Sequence, residues 1–126
     1  MTKSEIKSEI RWLKNAILEL ENDRNAYLNM NSKIKEAIVE LEKAESQIQK
    51  SSELLGLYYN SNTSKEKVLE LEEEKKEVSK IITKLESEIL EASYDKINSM
   101  NLDIRYKKSR IEKLNRELDR IDKEGE

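Results

Sequence analysis

The chain has no cysteine, no proline, no histidine and no phenylalanine, and its 126 residues include two glycines and one tryptophan. Each absence excludes something. Without cysteine there is neither a disulfide framework nor a thiolate metal site. Without histidine the commonest general base and the commonest transition-metal ligand are missing, and the Glu plus Glu-x-x-His set of carboxylate-bridged di-iron bundles cannot be assembled. Neighbouring acids such as Glu72, Glu73 and Glu74 point to different sides of a helix, and nothing supplies a nucleophile or a phosphate-cradling loop. No catalytic residue, cofactor site or metal site is expected. No apolar run approaches the roughly 20 residues that a membrane span needs, so neither membrane insertion nor a cleavable leader is expected.

Charge is plentiful and nearly balanced, with 24 basic and 27 acidic residues making up 40% of the chain against 36% hydrophobic. That composition belongs either to disordered chains or to long amphipathic helices. The densest basic run is Arg105, Lys107, Lys108, Arg110, Lys113 and Arg116. It is spread round a helix and mixed with Asp103 and Glu112, which reads as a solvated surface and not as a nucleic-acid footprint.

Periodicity decides for order. Counting by sevens from Ile6 gives Ile6, Leu13, Leu20, Tyr27, Ile34, Leu41, Ile48 and Leu55. With these at heptad position d, the a positions are Ile10, Ile17, Arg24, Asn31, Ile38, Glu45 and Ser52, so the first half is one heptad helix with several polar seam residues. Thr2 and Glu5 have capping-box spacing at its start. At the other end, "LLGLYYNSNTSKEKV" supplies Gly56 as a helix stop, Asn60 to Thr63 as a polar loop, and Thr63 with Glu66 as a second capping box. Tyr58 and Tyr59 are expected to plug the open end of the helix pair.

In the second half, Val68, Leu71, Val78, Ile82, Leu85, Ile89 and Ala92 keep one heptad register, interrupted by Lys75. Ile97, Met100, Ile104, Ile111, Leu114, Leu118 and Ile121 keep another, interrupted by Lys107. Between them the stripe steps in fours through Leu85, Ile89, Ser93 and Ile97, which should relax or reverse the left-handed supercoil near Ala92 to Ile97. "NMNS" at 29–32 and "NSMN" at 98–101 are weak helix formers and candidate kinks. The pattern predicts an all-α fold, a long antiparallel two-helix hairpin of coiled-coil character. It comprises one domain over residues 1–126: helix 1 about 3–56, a turn about 57–63 and helix 2 about 64–123, each helix about 80 Å long at 1.5 Å per residue. A short turn makes the helices antiparallel, placing Tyr27 near Tyr94 and Leu13 near Lys108.

Such a hairpin buries one narrow seam, and apolar residues are left beside it. Trp12, Ala16, Ala26, Met30, Ala37 and Ala44 lie on the c and g edge of the first helix, with Leu28 on the e side. Leu90, Tyr94, Leu102 and Tyr106 stand next to the drifting stripe of the second. Either these thicken the seam or pack a homodimer, or they dock a different helical protein. For the latter, Trp12, Ala16, Leu28, Met30, Leu90, Tyr94, Leu102 and Tyr106 are the candidate partner-binding residues.

The heptads of "SEIRWLKNAILELEND", the polar turn at mid-chain and the tail "YDKINSMNLDIRYKKSRIEKLNRELDRID" resemble the WXG-type helical hairpins of type VII secretion, and most of all the YwqH-like accessory proteins of LXG toxins. The turn has "LLGLYYN" where that pattern has Trp-x-Gly, and neither Tyr94 nor Tyr106 is followed by an acid four residues on. The resemblance implies a non-enzymatic targeting factor that binds the helical LXG domain of a cognate toxin, with a second small helical accessory protein as a further partner. It also implies residence in the cytoplasm with co-secretion alongside the toxin. A structural coiled coil, or a homodimeric four-helix scaffold in a phage or cell-envelope complex, would use the same residues and stays open.

Overall fold

Thr2 starts the first helix as its spacing to Glu5 predicts: its hydroxyl oxygen accepts a hydrogen bond from the Glu5 N–H at 3.1 Å, and its carbonyl accepts one from the Ile6 N–H at 3.0 Å. The computed structural model describes residues 1–58 and 62–125. Within these the fold is all-α, with two long helical stretches packed antiparallel as a hairpin. The first, α1, spans Lys3–Tyr58. The second is α2 (Asn62–Lys84), a π-helical turn (Leu85–Leu90) and α3 (Glu91–Glu124). Lys84 and Glu91, which flank the π turn, both hold right-handed helical angles, so the chain stays helical through it.

The stop signal at Gly56 is not used as expected. Gly56 lies inside the last turn of α1, and no described glycine has a positive φ. A helix needs glycine only where the backbone turns left-handed, and α1 continues two residues beyond this one. Asn62 already belongs to α2, so Thr63 sits within its first turn and does not precede it as a cap. The expected loop residues Asn60 and Ser61, and the tyrosine plug at Tyr58 and Tyr59, lie outside the described residues or their described side chains. The candidate kinks at 29–32 and 98–101 are uninterrupted α-helix. Seam packing on the neighbouring apolar residues outweighs the weak propensity of Asn and Ser.

The chain divides into two compact units, Met1–Asn29 with Tyr94–Glu126 (the terminal unit) and Met30–Ser93 (the central unit). In the terminal unit Ile6 and Leu114 are fully buried, joined by Ile10 and Leu13, with Ile111, Leu118 and Ile121 packed against them. Arg24, a polar seam residue, donates from Nη1 to Asn101 Oδ1 at 2.9 Å. Lys3 pairs with Asp122 across the same two helices. The register is displaced from the expected one: Leu13 packs with Leu114 and Ile111, and Lys108 reaches Glu21 instead. In the central unit Glu45 accepts from the Ser79 hydroxyl, and Lys75 Nζ donates to Gln49 Oε1 at 2.9 Å. Four residues along α1 are matched by four residues back along α2, the signature of antiparallel pairing.

The heptad reading of α1 holds along its length. All eight d positions from Ile6 to Leu55 are buried or half-buried, as are the a positions, Arg24 and Glu45 included. Arg24 and Glu45 are tolerated on the seam because they meet polar partners across it. Asn31 and Ser93 are both buried in the central unit, and neither side chain has a hydrogen-bond partner among the described residues.

The second strand of the seam changes phase at the π turn. Ile82 and Leu85 are half-buried on the first register, whereas Leu90, Ser93 and Ile97 are buried on the second, one residue later in the heptad. A π turn inserts one residue into an α-helix, which is the phase difference between the two registers. Ile89 and Ala92, expected on the stripe, are exposed, and the stripe passes from Leu85 to Leu90 in a step of five. The departure from regular winding therefore lies just before the Ala92 to Ile97 stretch where sequence spacing puts it. Widening the helix frees a carbonyl from its usual partner, and the Ser87 hydroxyl donates to the Thr83 carbonyl at 2.6 Å.

Candidate partner-binding faces

Two cross-helix ion pairs mark the two lateral sides of the terminal unit. On one side Arg110 grips Glu9 with two contacts, Nε to Oε1 at 3.1 Å and Nη2 to Oε2 at 3.5 Å. The hydrogen bond to Glu9, and then its charge, push the Arg110 guanidinium further above its usual range, so this clasp does not titrate through Arg110 near neutral pH. On the other side Lys108 stands 3.9 Å from Glu21. With Lys107 held by Asp103 and Arg116 by Glu112, four of the basic residues from Arg105 to Arg116 have acidic neighbours within this protein.

The expected partner-binding residues do not share one surface. Trp12 lies three residues beyond Glu9, Ala16 seven beyond it, and Tyr106 four before Arg110, which puts all three on the Glu9 side. Trp12 is 64% exposed and Tyr106 71%. Leu28 is one heptad beyond Glu21 and Tyr94 two heptads before Lys108, so both belong to the Glu21 side. Counted from the Arg24–Asn101 contact, Leu28 is four residues on and Tyr94 seven back, within a helical turn of each other. They are exposed by 45% and 39%. Leu102 is on the outward back of α3, exposed as well. Met30, in the central unit, is 39% exposed.

Leu90 is corrected. It is buried in the seam of the central unit, because the π turn carries the stripe one residue further than the steps of four imply. It is a packing residue and not an edge residue.

Sequence reasoning missed the Glu9–Arg110 clasp and the exposed Leu18, 57% open on α1. The clasp was discoverable. Glu9 and Arg110 both stand at g once the second register is lettered from Ile104 as a, and g positions face each other in antiparallel pairs. Leu18 at b carried no signal beyond its own hydrophobicity.

Among the described residues no group of three or more acids, histidines or cysteines could hold a metal ion, and no helix is long and apolar enough to cross a membrane. A shallow groove beside Trp12 is lined by Ala16, Glu19, Leu20 and Asp23 of α1 and by Asp103 and Lys107 of α3. Comparison with protein-family models, with curated proteins and with solved structures gives no match.

Proposed function

We propose that this chain is a non-catalytic docking protein that binds the helical LXG domain of a cognate toxin along the Glu21 side of its terminal unit, and so accompanies the toxin to type VII secretion. One observation carries the docking part: large apolar side chains emerge on both lateral sides of a seam that is already closed. Leu18, Leu28 and Tyr94 add nothing to the Ile6–Leu114 cluster. Each large apolar side chain taken from water to a buried site contributes about 1.5–3 kcal/mol, so a helix laid over them is favoured without further chemistry. The identity of the toxin partner is supported by the likeness of the heptads and tail to the YwqH-like accessory proteins. Assembly would take place in the cytoplasm, before export of the complex.

Co-expression with the N-terminal LXG domain of a candidate cognate toxin, followed by affinity capture, tests the reading. The wild-type chain is expected to co-purify with the domain. Leu28→Asp should reduce recovery at least tenfold while the circular dichroism spectrum is retained, because an exposed position tolerates a charge in the free protein but not under a partner. Undiminished recovery of the Leu28→Asp variant would remove the Glu21 side from the interface, and no capture by the wild type would remove the toxin partner.

A further inference from the structure

The sequence of the second helical stretch sets narrow limits on where its change of phase can lie. Up to Leu85 the seam residues follow the first register, and from Leu90 onward the second. Carried back before the π turn, the second register would put Glu86 and Thr83 in the seam, and both are exposed. No earlier position is open to the step. Carried forward, the first register passes through Ile89 and Ala92 before it meets Lys96 and Ser99. Between Leu85 and Ile97 the step can therefore be placed without bringing a charge into the seam.

Within that window two pairs of residues compete for the same places. The observed fold buries Leu90 and Ser93 and leaves Ile89, 39% exposed, and Ala92 outside. Exchanging Leu90 for Ile89 swaps one side chain for its isomer, the kind of change a packed seam tolerates best. Exchanging Ser93 for Ala92 is a gain. The Ser93 hydroxyl is buried with no hydrogen-bond partner among the described residues, and a methyl group needs none. Against that gain stands the Ser87 hydroxyl, which bonds the Thr83 carbonyl at the π turn where it now lies. Asn31, buried and equally unpartnered, stays on the seam with either pair.

We infer that the π turn is a movable step with two seats, the one at Leu85–Leu90 and a second between Ala92 and Ile97. In the second seat Ile89 and Ala92 take the seam places of Leu90 and Ser93. The residues between the seats turn by about 100° and slide by about 1.5 Å, the rotation and rise of one helical residue. Seam residues up to Leu85 and from Ile97 onward keep their places. The move brings Leu90 and Ser93 to the surface and withdraws Ile89. Ser93 is then free to bond water or the carbonyl four residues back, as Ser87 does in the observed seat. A packed helix changes by such discrete jumps and not by gradual deformation, so a ligand that contacts Leu90 or Ile89 selects the seat that exposes it.

Single cysteines report the seat directly, in a chain that has none of its own. Leu90→Cys and Ile89→Cys are each made in three backgrounds: the wild type, Ser93→Leu, which fills the observed seat, and Ala92→Leu, which fills the second. Thiol labelling of the full chain, with helicity followed by circular dichroism, reads the exposure of each site. The Leu90→Cys thiol is expected to label slowest with Ser93→Leu, roughly tenfold or more faster with Ala92→Leu, and at an intermediate rate in the wild-type background. The Ile89→Cys thiol should follow the reverse order. Local fraying would speed both labels, so the opposed orders separate a change of seat from it. Labelling of either thiol that is equal in all three backgrounds would overturn the inference. So would a wild-type rate for Leu90→Cys no faster than with Ser93→Leu, or loss of the cooperative melt in Ala92→Leu, since a second seat must accept a leucine there. The labelling needs no partner, so its outcome is independent of the docking reading.

Discussion

Deleting Glu88 should leave the protein folded and melting within a few degrees of the wild type or above it, whereas deleting Ser109 should abolish its cooperative melt. Both are exposed residues of the second helical stretch, and both deletions remove one residue. They differ in what they do to the seam. The π turn from Leu85 to Leu90 separates a register that ends at Leu85 from one that begins at Leu90, one residue out of phase. Removing Glu88 cancels the extra residue, lets the turn close as ordinary α-helix, and makes Leu71, Val78, Ile82, Leu85 and all later seam residues one continuous heptad. The partner residues on α1 are met after a shift of only about 1.5 Å along the axis. Removing Ser109 has no such remedy. It rotates Ile111, Leu114, Leu118 and Ile121 by about 100° away from Ile6, Ile10 and Leu13. Thermal melts followed by circular dichroism compare the two, with each ~1 kcal/mol expected to move the midpoint by about 2–8 °C at this size. Equal damage from both deletions would mean that the π turn is not a phase correction.

Leu114→Ala should be the most damaging of the conservative seam substitutions, and Leu114→Asp should leave the terminal unit unfolded. Leu114 is fully buried against Ile6, Ile10 and Leu13, while most seam residues of the central unit are only half-buried. Truncating a fully buried Leu costs about 2–5 kcal/mol, a large part of the roughly 5–15 kcal/mol available to a domain. Placing a carboxylate there adds the cost of an unpaired charge. Leu102→Ala is the control: 63% exposed on the back of the same helix, it should change stability by about 0.5 kcal/mol or less. Chemical denaturation of the three variants gives the ordering. A Leu114→Ala variant as stable as Leu102→Ala would show that the terminal cluster is not the core.

Much of the fold was legible in the heptads because each seam position of α1 is a separate, redundant statement of the same register. Arg24 and Glu45 did not disturb it, since Asn101 and Ser79 answer them across the seam. The π turn was harder to see. Leu85, Ile89, Ser93 and Ile97 step evenly in fours, and only the packing against α1 selects Leu90 over Ile89 for the interior. The helix stop at Gly56 misled for a related reason: glycine permits a left-handed cap but does not impose one. Among the candidate partner-binding residues, the exposure of Trp12 and Tyr106 followed from their positions off the seam. The division of Trp12 from Leu28 was legible as well, at c and e of the α1 heptad, whereas that of Tyr106 from Tyr94 needed the second register lettered against its partner helix.

The most direct test of the proposed docking role is the melting temperature of the protein with and without the LXG domain of a candidate cognate toxin. A partner that binds the folded hairpin and not the unfolded chain stabilises it by mass action, about 2.7 kcal/mol at a hundredfold excess over the dissociation constant. The melt is therefore expected to move upward as the domain is added, and to stay in place with Leu28→Asp. A wild-type melting temperature that does not change at saturating domain would contradict the docking role.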